Sequence, residues 1–359
     1  MKIFTVIGAR PQFIKAAVVS HAMANHETTI QEQIIHTGQH YDSNMSDVFF
    51  KELGIPKPKF NLEIGGGTHG KNTGRMIESI ETVLLSEKPD AVLVYGDTDS
   101  TLAGAIAATK LHIPTIHVES GLRSHNRRMP EEINRILTDH ASDLLFTPTE
   151  MASNNLQREG IAPQNIFLVG DIMFDATKLF GDISNQRSDI LNNLGLSPKN
   201  YVLATIHRQE STEEREKLAT ILHGIGELRD RIVWPIHPRT KKRIQQLDLS
   251  IPSNITCIKP VGYLDMLQLE KNARLIATDS GGVQKEAYFH GVPCVTIRTE
   301  TEWVELVEAG WNTLVNPHDS VEITRALKAP KIPSHASELL YGDGDASTKI
   351  IEIINSHIG

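Results

Sequence analysis

Three acidic residues follow apolar runs in the first half of the sequence. Asp97 lies in VYGDT, Glu119 ends the run TIHVE, and Glu131 follows a proline in MPEEINR. Singly, each suits a helix cap or first turn, where a carboxylate interacts with the helix dipole. Together, carboxylates at adjacent strand ends repel one another unless a ligand binds there or proton transfer uses them. The set therefore predicts acid–base chemistry, with capping as the alternative for each residue.

Basic residues follow other apolar runs. Arg10 and Lys15 stand in GARPQFIK, where Pro11 suits the first turn of a helix whose amino terminus can meet an anion. In the second half, His207 follows one run and His237 the next. The alternative is that Arg10 and Lys15 are surface charges and that each histidine only packs.

A glycine pair gives the sharpest prediction of a ligand site. In ATDSGGVQKEA an apolar run meets Ser280, Gly281 and Gly282 before a helical pattern. Paired glycines let backbone amides approach closely, and a helix amino terminus favours a diphosphate. Glu286, about one turn further on, is placed to accept hydrogen bonds from ribose hydroxyls. Because the dinucleotide pattern G-x-G-x-x-G is absent, a nucleotide sugar is favoured over NAD.

A second glycine-rich segment, GGGTHGKNTG at 65–74, imitates a phosphate-binding P-loop. Asn72 stands where the P-loop needs a hydroxyl for Mg²⁺, and the preceding IPKPKFNLEI is not a buried parallel strand. We therefore interpret it as a glycine-rich loop leading into an amphipathic helix around Met76 to Leu85.

The elements that must position these residues repeat along the chain. Six short β-rich runs precede position 170 and six follow position 200, with helical patterns between them, which predicts parallel sheets covered by helices. The runs are KIFTVI, QIIHT, AVLVYG, TIHVE, LLFTP and IFLVG, then YVLATIH, IVWPIH, ITCIKP, LIATDS, CVTIR and TLVN.

We thus predict an α/β fold with two Rossmann-like domains facing across a cleft. The limits are 1–170 for a carboxylate-rich domain and 171–344 for a UDP-binding domain. A terminal helix, 345–359, is expected to pack back on the first domain. Ligands of open α/β sheets bind beyond the carboxyl ends of the strands, so the chemistry is expected there.

Composition excludes several classes of protein. A formal net charge of -8 and a pI of about 6.1 argue against a sequence-independent grip on nucleic acid or an anionic membrane. Cys257 and Cys294 have no zinc spacing and are too few for a disulfide framework, which favours a reducing cytoplasm. No signal peptide, spanning segment or metal site is evident.

These residues together resemble the non-hydrolysing UDP-N-acetylglucosamine 2-epimerases. The resemblance covers essentially the whole chain, through GARPQFIK, GQHYD, VYGDT, HVESGLRS, MPEEINR, the His207-Arg208 pair, PIHPR, TDSGGVQKEA and YGDG in that order. It implies the glycosyltransferase-B architecture, a homodimer and no redox cofactor. It also implies reversible inversion at C2 of a UDP-2-acetamido sugar, by elimination of UDP and its re-addition.

The resemblance also implies roles for the candidate residues. Asp97, Glu119 and Glu131 would be the acid/base carboxylates. His207 and Arg10 would hold the diphosphate with the amides of Ser280 to Gly282, and Lys15 would add positive potential. His237 is a further candidate contact to UDP, and Glu286 would bind the ribose.

Departures from the family pattern bear on the substrate. Ala9 and Gln12 replace Thr and Glu of GTRPE, and Trp303 replaces the Arg of TTERPE. The segment QHYD, which begins at Gln39, differs from the family segment that forms part of a second, activating UDP-sugar site. These changes resemble the branch acting on UDP-2,3-diacetamido-2,3-dideoxyglucuronic acid, an O-antigen precursor. Arg127 and Arg128 would then contact the uronate carboxylate, the alternative being a solvated loop.

Other functions fit the same sequence. A UDP-sugar-dependent glycosyltransferase would share the glycine cradle, but it needs an acceptor and often a membrane-docking face. A nucleotide-sugar sensor would have no reason to gather the three carboxylates. A hydrolysing epimerase would differ only in releasing free sugar.

Overall fold

The computed structural model describes residues 1–26, 30–39, 50, 52–331 and 339–358, except for the side chain of Arg10. These residues form two α/β units. Unit 1 is Met1–Leu179 with Leu339–Gly359, and unit 2 is Phe180–Glu338.

The described part of unit 1 is built on a seven-stranded parallel sheet in the order β3-β2-β1-β4-β5-β6-β7. Its strands are β1 (Lys2–Ile7), β2 (Gln31–His36), β3 (Phe60–Asn61), β4 (Ala91–Tyr95), β5 (Thr115–Val118), β6 (Leu144–Thr147) and β7 (Ile166–Leu168). Its helices are α1 (Arg10–Asn25), α2 (His69–Glu87), α3 (Asp99–Lys110), α4 (Pro130–Ala141), α5 (Glu150–Arg158), the first half of α6 (Ile172–Arg187) and, as numbered below, α15 (Ala346–Ile358). A short 3₁₀ turn lies at Pro163–Asn165.

The described part of unit 2 is built on a six-stranded parallel sheet in the order β10-β9-β8-β11-β12-β13. Its strands are β8 (Val202–Thr205), β9 (Ile232–Pro235), β10 (Ile255–Ile258), β11 (Leu275–Thr278), β12 (Cys294–Thr296) and β13 (Asn312–Leu314). Its helices, after the end of α6, are α7 (Ile190–Asn193), α8 (Gln209–Thr212), α9 (Arg215–Gly226), α10 (Pro238–Gln246), α11 (Tyr263–Asn272), α12 (Gly281–Phe289), α13 (Val304–Glu308) and α14 (Ser320–Lys328).

The predicted α/β fold is confirmed, and a strand lies in each of the twelve apolar runs. These runs stand out because central parallel strands are buried on both faces, as in AVLVY of β4, where every residue is buried. The short strand β3 was not predicted, since it lies at a sheet edge just after a proline-rich segment. The glycine-rich imitation of a P-loop leads into α2, which begins at His69.

The limits of the two units differ from the predicted limits, 170/171 and 344/345. Helix α6 begins in unit 1, where Asp175 accepts hydrogen bonds of 2.8 Å from the backbone and side chain of Ser347. The first turns of α6 are buried there through Ile172 and Ala176. Helix α6 continues to Arg187 in unit 2 as one uninterrupted helix, so the composition of the sequence does not mark the boundary between the two units. Helix α15 contacts α1 within unit 1.

Both sheets reverse their strand order at an equivalent place. In unit 1 the reversal lies between β1 and β4, and in unit 2 it lies between β8 and β11. At such a switch the connections leave in opposite directions, so the carboxyl ends of the two strands are left open to a ligand. Asp97 follows β4, whereas His207 and Asp279 follow β8 and β11.

No helix in the described part of the chain is both long and apolar enough to cross a membrane. Over the same residues, no three His, Cys, Asp or Glu side chains come together as metal ligands.

Candidate active site

Asp97 lies just beyond β4 and is held by a buried arginine from α4. Its Oδ2 accepts a hydrogen bond of 2.6 Å from Nη2 of Arg135, while its side chain remains 34% exposed. Burial alone would lower the pKa of Arg135, but the carboxylates of Asp97 and Glu132 outweigh burial and raise it. The guanidinium therefore stays charged and orients the carboxylate of Asp97 through a charge-assisted hydrogen bond.

Glu119 follows β5 in an unusual backbone conformation. Its φ is +72°, a left-handed value that is uncommon for a residue other than glycine. The amides of Glu119 and Ser120 both donate to the Phe146 carbonyl, at 3.1 and 3.0 Å, which holds this corner in place. The strained backbone thus fixes the direction of the Glu119 side chain.

Glu119 forms an ion pair with Lys15 of α1, and both side chains are 11% exposed. A Cβ at Gly96 would lie 3.2 Å from Oε2 of Glu119 and 3.3 Å from Nζ of Lys15, so a side chain there would crowd the pair. We predicted that Lys15 adds positive potential for the diphosphate. In the structure its ammonium contacts the carboxylate of Glu119.

Two consecutive glutamates at the start of α4 have different surroundings. Glu131 is exposed, whereas Glu132 is 1% exposed and accepts hydrogen bonds from Ser124, His125 and Arg135. Burial would raise the pKa of Glu132, but the bonds from Ser124 and the charge of Arg135 outweigh burial and lower it. Glu132 is thus built into the protein, and Glu131 is the one open to a ligand.

The turn after β1 is fixed by a residue that departs from the family pattern. Gln12 is 1% exposed, accepts from the amides of Gly8 and Ala9 at 2.8 and 3.0 Å, and donates to the Tyr95 carbonyl at 3.0 Å. Gln12 therefore ties the end of β1 to the end of β4. Arg10 is the first residue of α1, and its side chain lies outside the described part.

His207 follows β8 and is anchored by the buried carboxylate of Asp279 after β11. The amides of His207 and Arg208 donate to Asp279 at distances of 2.9 to 3.1 Å, and Nδ1 of His207 lies 3.5 Å from Oδ1. Asp279 is fully buried, while the His207 side chain is 49% exposed. The ring is therefore held at its base and open to a ligand.

The predicted glycine cradle forms the amino terminus of α12. Ser280 is the cap residue, and its backbone amide donates to Oγ1 of Thr278 at 2.9 Å. A Cβ at Gly281 would meet its nearest described atoms at 3.6 to 3.9 Å, and one at Gly282 would meet nothing within 4 Å. Open space thus lies over the helix terminus, where unpaired amides and the helix dipole favour an anion.

Charged side chains that the sequence analysis did not assign flank this terminus. Glu302 binds Arg298 through two contacts of 3.0 Å and lies 3.7 Å from Nη2 of Arg208. Burial would raise the pKa of Glu302, but Arg298 lowers it, so the carboxylate stays charged. On α12 itself, Nζ of Lys285 lies 4.1 Å from the ring centroid of Trp303, which is a cation–π contact. Trp303 is one of the residues that depart from the family pattern.

Glu286, the predicted ribose ligand, is 8% exposed and lies beside the fully buried Glu270 of α11. Burial and the neighbouring Glu286 raise the pKa of Glu270 well above its usual value, which keeps Glu270 protonated. Nε2 of His290 lies 4.0 Å from Oε2 of Glu270, and burial lowers the pKa of His290 to about 4.

The remaining candidates lie on loops. His237 is exposed and caps α10, where its Nδ1 accepts from the amide of Arg239 at 3.2 Å. Arg127 and Arg128 are exposed before α4 and form no ion pair with another described residue. In the altered segment QHYD, positions 40 to 42 lie outside the described residues. Oε1 of Gln39 accepts from the amide and hydroxyl of Ser100 at 3.1 and 2.6 Å.

Sequence reasoning missed the supporting residues Arg135 and Asp279. The spacing from Glu132 to Arg135 on one helix was an available signal, since residues three apart share a helix face. No comparable signal marks Asp279, whose partners are 71 and 72 positions away. Unit 1 thus offers carboxyl groups at strand ends, and unit 2 offers an open helix amino terminus with a nearby imidazole.

Comparison with known proteins finds a family model and relatives that match most of the chain. The model of the UDP-N-acetylglucosamine 2-epimerase family matches residues 22–355. A UDP-N-acetylglucosamine 2-epimerase homolog of Methanococcus maripaludis is 51% identical over 99% of this chain and 100% of the relative. The UDP-2,3-diacetamido-2,3-dideoxy-D-glucuronate 2-epimerase of Pseudomonas aeruginosa is 50% identical over 99% of both chains.

A solved structure is similar over the same length. The UDP-GlcNAc 2-epimerase of Methanocaldococcus jannaschii, crystallised with UDP-GlcNAc and UDP, superposes with a TM-score of 0.90 at 45% identity, covering 99% of this chain and 100% of that one.

Proposed function

Because this chain belongs to the UDP-N-acetylglucosamine 2-epimerase family, and is thus an isomerase acting on a UDP-sugar, we propose how its residues divide the reaction. Unit 2 holds the UDP group and unit 1 moves the proton at C2. The observation that supports this most is Asp97 at the strand switch of unit 1, partly exposed and hydrogen-bonded to the buried Arg135.

The proposed reaction has two halves. A carboxylate of unit 1 takes the proton from C2, the C1–O bond to UDP breaks, and its electron pair leaves with the diphosphate while a C1–C2 double bond forms. A proton then returns to C2 on the opposite face, and the diphosphate oxygen bonds again to C1. The reaction is redox-neutral, and substrate and product have the same composition, because a proton returned to C2 replaces the one removed and can come from solvent.

The poor acidity of C2–H explains what the protein must supply. A departing diphosphate needs strong electrostatic stabilisation while a base takes the proton. We assign the diphosphate to the amides of Gly281 and Gly282 and to His207, with the guanidinium of Arg10. Ser280 caps the same helix, but its amide already donates to Oγ1 of Thr278. Asp97, Glu119 and Glu131 are the acid/base candidates.

Further contacts follow from the same assignment. We propose that Glu286 accepts hydrogen bonds from the ribose and that His237 adds a contact to UDP. We assign Lys15 to the orientation of Glu119, because the two side chains form an ion pair.

We propose UDP-2,3-diacetamido-2,3-dideoxyglucuronic acid as the substrate, a precursor of bacterial surface polysaccharide. Trp303 in place of arginine, stacked on Lys285, and the exposed Arg127 and Arg128 support this choice. Arginine forms bidentate hydrogen bonds with carboxylates, so these two side chains suit a uronate.

The test is proton NMR in D₂O with this acid and, separately, with UDP-GlcNAc. We expect deuterium at C2 together with a manno-configured UDP-sugar, formed faster from the acidic substrate. No exchange with either substrate while UDP still binds would refute the epimerase mechanism, and accumulation of free sugar would indicate a hydrolysing enzyme.

A double variant tests the uronate contact. Replacing Arg127 and Arg128 with glutamine should raise KM for the acidic substrate about tenfold and leave UDP-GlcNAc nearly unaffected, because only the former has the carboxylate. Equal losses on both substrates would contradict the assignment.

The resemblance also supports a homodimer, and the cysteine usage supports a cytoplasmic location. Light scattering on the purified protein tests the first, where a mass of one chain at micromolar concentration would contradict it. Fractionation of the source cells tests the second.

A further inference from the structure

His117 of β5 has two hydrogen-bond acceptors and no described donor beside its ring. The side chain is fully buried, with Nδ1 2.7 Å from Oδ1 of Asp139 and Nε2 2.7 Å from the carbonyl oxygen of Gly96. A neutral imidazole has one N–H group and donates to only one acceptor, whereas imidazolium donates to both. The geometry therefore favours the doubly protonated ring.

The surroundings of Asp139 place the proton on the ring rather than on the carboxyl group. Oδ2 of Asp139 lies 2.7 Å from Nη1 of Arg123 and accepts from the amide of Gly121 at 3.1 Å. The guanidinium and the amide are both donors, so Oδ2 of Asp139 is an acceptor in both contacts. Its Oδ1 is then an acceptor that needs a donor, and the Nδ1–H group of His117 supplies it.

The charges of this buried network balance. Arg123 also binds Glu159 through two contacts of 2.7 Å, so two cations face two carboxylates. Burial would lower the pKa of Arg123, but Glu159 and Asp139 raise it above its ordinary value. At the exposed edge, Nε2 of His140 lies 3.3 Å from Glu159. Such pairing is what allows an imidazolium to be buried.

The second hydrogen bond of His117 reaches the candidate active site. Gly96 has a left-handed φ of +65° and connects β4 to Asp97, and it lies beside the ion pair of Lys15 and Glu119. A bond to the Gly96 carbonyl therefore restrains the turn that carries one candidate base and borders the other.

We propose that His117 is a permanently protonated positioning residue, an imidazolium that fixes the turn at Gly96 and so holds Asp97 in its reactive place. It does not exchange a proton with the substrate, because both of its N–H groups are engaged within the protein. The alternative is a neutral ring that only packs against its neighbours.

The direct test uses the wild-type protein labelled with ¹⁵N-histidine. At pH 8, where exposed histidines are neutral, NMR should show one ring with both nitrogens protonated and little change down to pH 6. This signal is assigned to His117 by its disappearance in the His117→Gln variant. If no histidine carries two N–H groups at pH 8, the proposal is wrong, whatever the variants do.

The kinetic test rests on the proposed function and uses C2 hydrogen exchange in D₂O. Glutamine carries both of its N–H groups on one nitrogen, so it cannot span the two acceptors that Nδ1 and Nε2 of His117 reach. The turn should therefore loosen and kcat should fall about 10- to 100-fold, the cost of a misplaced catalytic group. KM for the UDP-sugar should change less than about threefold, since the UDP contacts lie in unit 2. Asp139→Asn should give the same pattern and remove one ring proton.

The matched control is His140→Gln, the same substitution at the exposed edge of the network. Its kcat should stay within about twofold of wild type. Equal losses in His117→Gln and His140→Gln, or a folded His117→Gln variant with unchanged kcat, would overturn the positioning role. Absence of C2 exchange in the wild-type protein would instead refute the proposed function, and the NMR result would still decide the charge of His117.

Discussion

Buried ionisable side chains differ in charge state between two regions of the protein. These regions are the carboxylate cluster of unit 1 and the surroundings of α11 and α12 in unit 2. In unit 1, Glu132 keeps its charge at 1% exposure because Ser124, His125 and Arg135 donate to it. The same arginine also holds Asp97 at 2.6 Å.

Beneath α12, Glu270 and His290 are buried in their neutral forms instead. The pKa of Glu270 is raised by burial and by Glu286, and burial lowers the pKa of His290 to about 4. The proposed anion site of this region consists of the backbone amides of Gly281 and Gly282, which need no counter-charge beneath them.

The difference follows from the task proposed for each region. A base must be ionised and aimed, so its charge requires paired partners that are themselves buried. A diphosphate brings its own charge, so its site needs donors and open space. Four predictions test this contrast, in order of decreasing expected effect.

The largest effect is expected for Asp97→Asn. Loss of a general base should lower kcat about 10³-fold, while the dissociation constant for UDP stays the same because unit 2 holds UDP. C2 exchange and calorimetric titration with UDP measure the two quantities. Glu78→Gln, an exposed substitution with the same change of charge, is the control. An equal loss of UDP affinity would contradict the separation of tasks.

The next effect distinguishes two neighbouring glutamates. Glu132→Gln should lower the free energy of unfolding by about 2–3 kcal/mol, since it removes the charge that accompanies the buried Arg135. Glu131→Gln, at an exposed position, should change it by less than about 0.5 kcal/mol. Urea denaturation compares the two variants. Similar midpoints would show that Glu132 is not the structural member of the pair.

A pH dependence is expected from the neutral cluster of unit 2. His290 has a pKa of about 4 in the folded protein, below the ordinary value near 6.5 in the unfolded chain. As pH falls from 7 to 5, the unfolded state binds a proton that the folded state does not, so stability falls by about 2 kcal/mol.

Glu270 acts in the opposite sense, because its raised pKa makes its contribution to stability fall as pH rises. The effect of His290 is therefore measured as the difference in free energy of unfolding between the wild type and His290→Gln. Urea denaturation gives this difference at pH 7 and again at pH 5. Identical differences at the two pH values would mean that the buried ring is not neutral.

The smallest effect is expected for Gly282→Ala. A Cβ there meets no atom of the described residues within 4 Å, so stability should be preserved while the methyl group obstructs the proposed anion site. We expect UDP affinity to fall about tenfold, or ~1.4 kcal/mol. Gly74→Ala, in another helix and also free of neighbours within 4 Å, should not alter it. Equal affinities in both variants would place the diphosphate elsewhere.

Much of the fold was predictable because its strands are buried on both faces. Runs such as LLFT and LIAT are almost wholly apolar and are buried at every position, so they stand out from the helical patterns between them. The predicted cradle at Ser280 to Gly282 does begin a helix, because glycines between a strand and a helix have few other uses. The family, and with it the UDP-sugar 2-epimerase activity, was identified from short motifs in a fixed order and is confirmed by the comparisons.

The sequence by itself thus determined the elements, their order and the residue types at the strand ends. The tertiary structure decided which charges pair: Lys15 with Glu119, 104 positions apart, and Asp97 with Arg135, 38 positions apart. It also separated the buried Glu132 from the exposed Glu131, which have the same side chain and adjacent places in the chain. The physical reason is that periodicity records only whether a face is buried, whereas the charge state of a carboxylate depends on donors brought to it by distant segments.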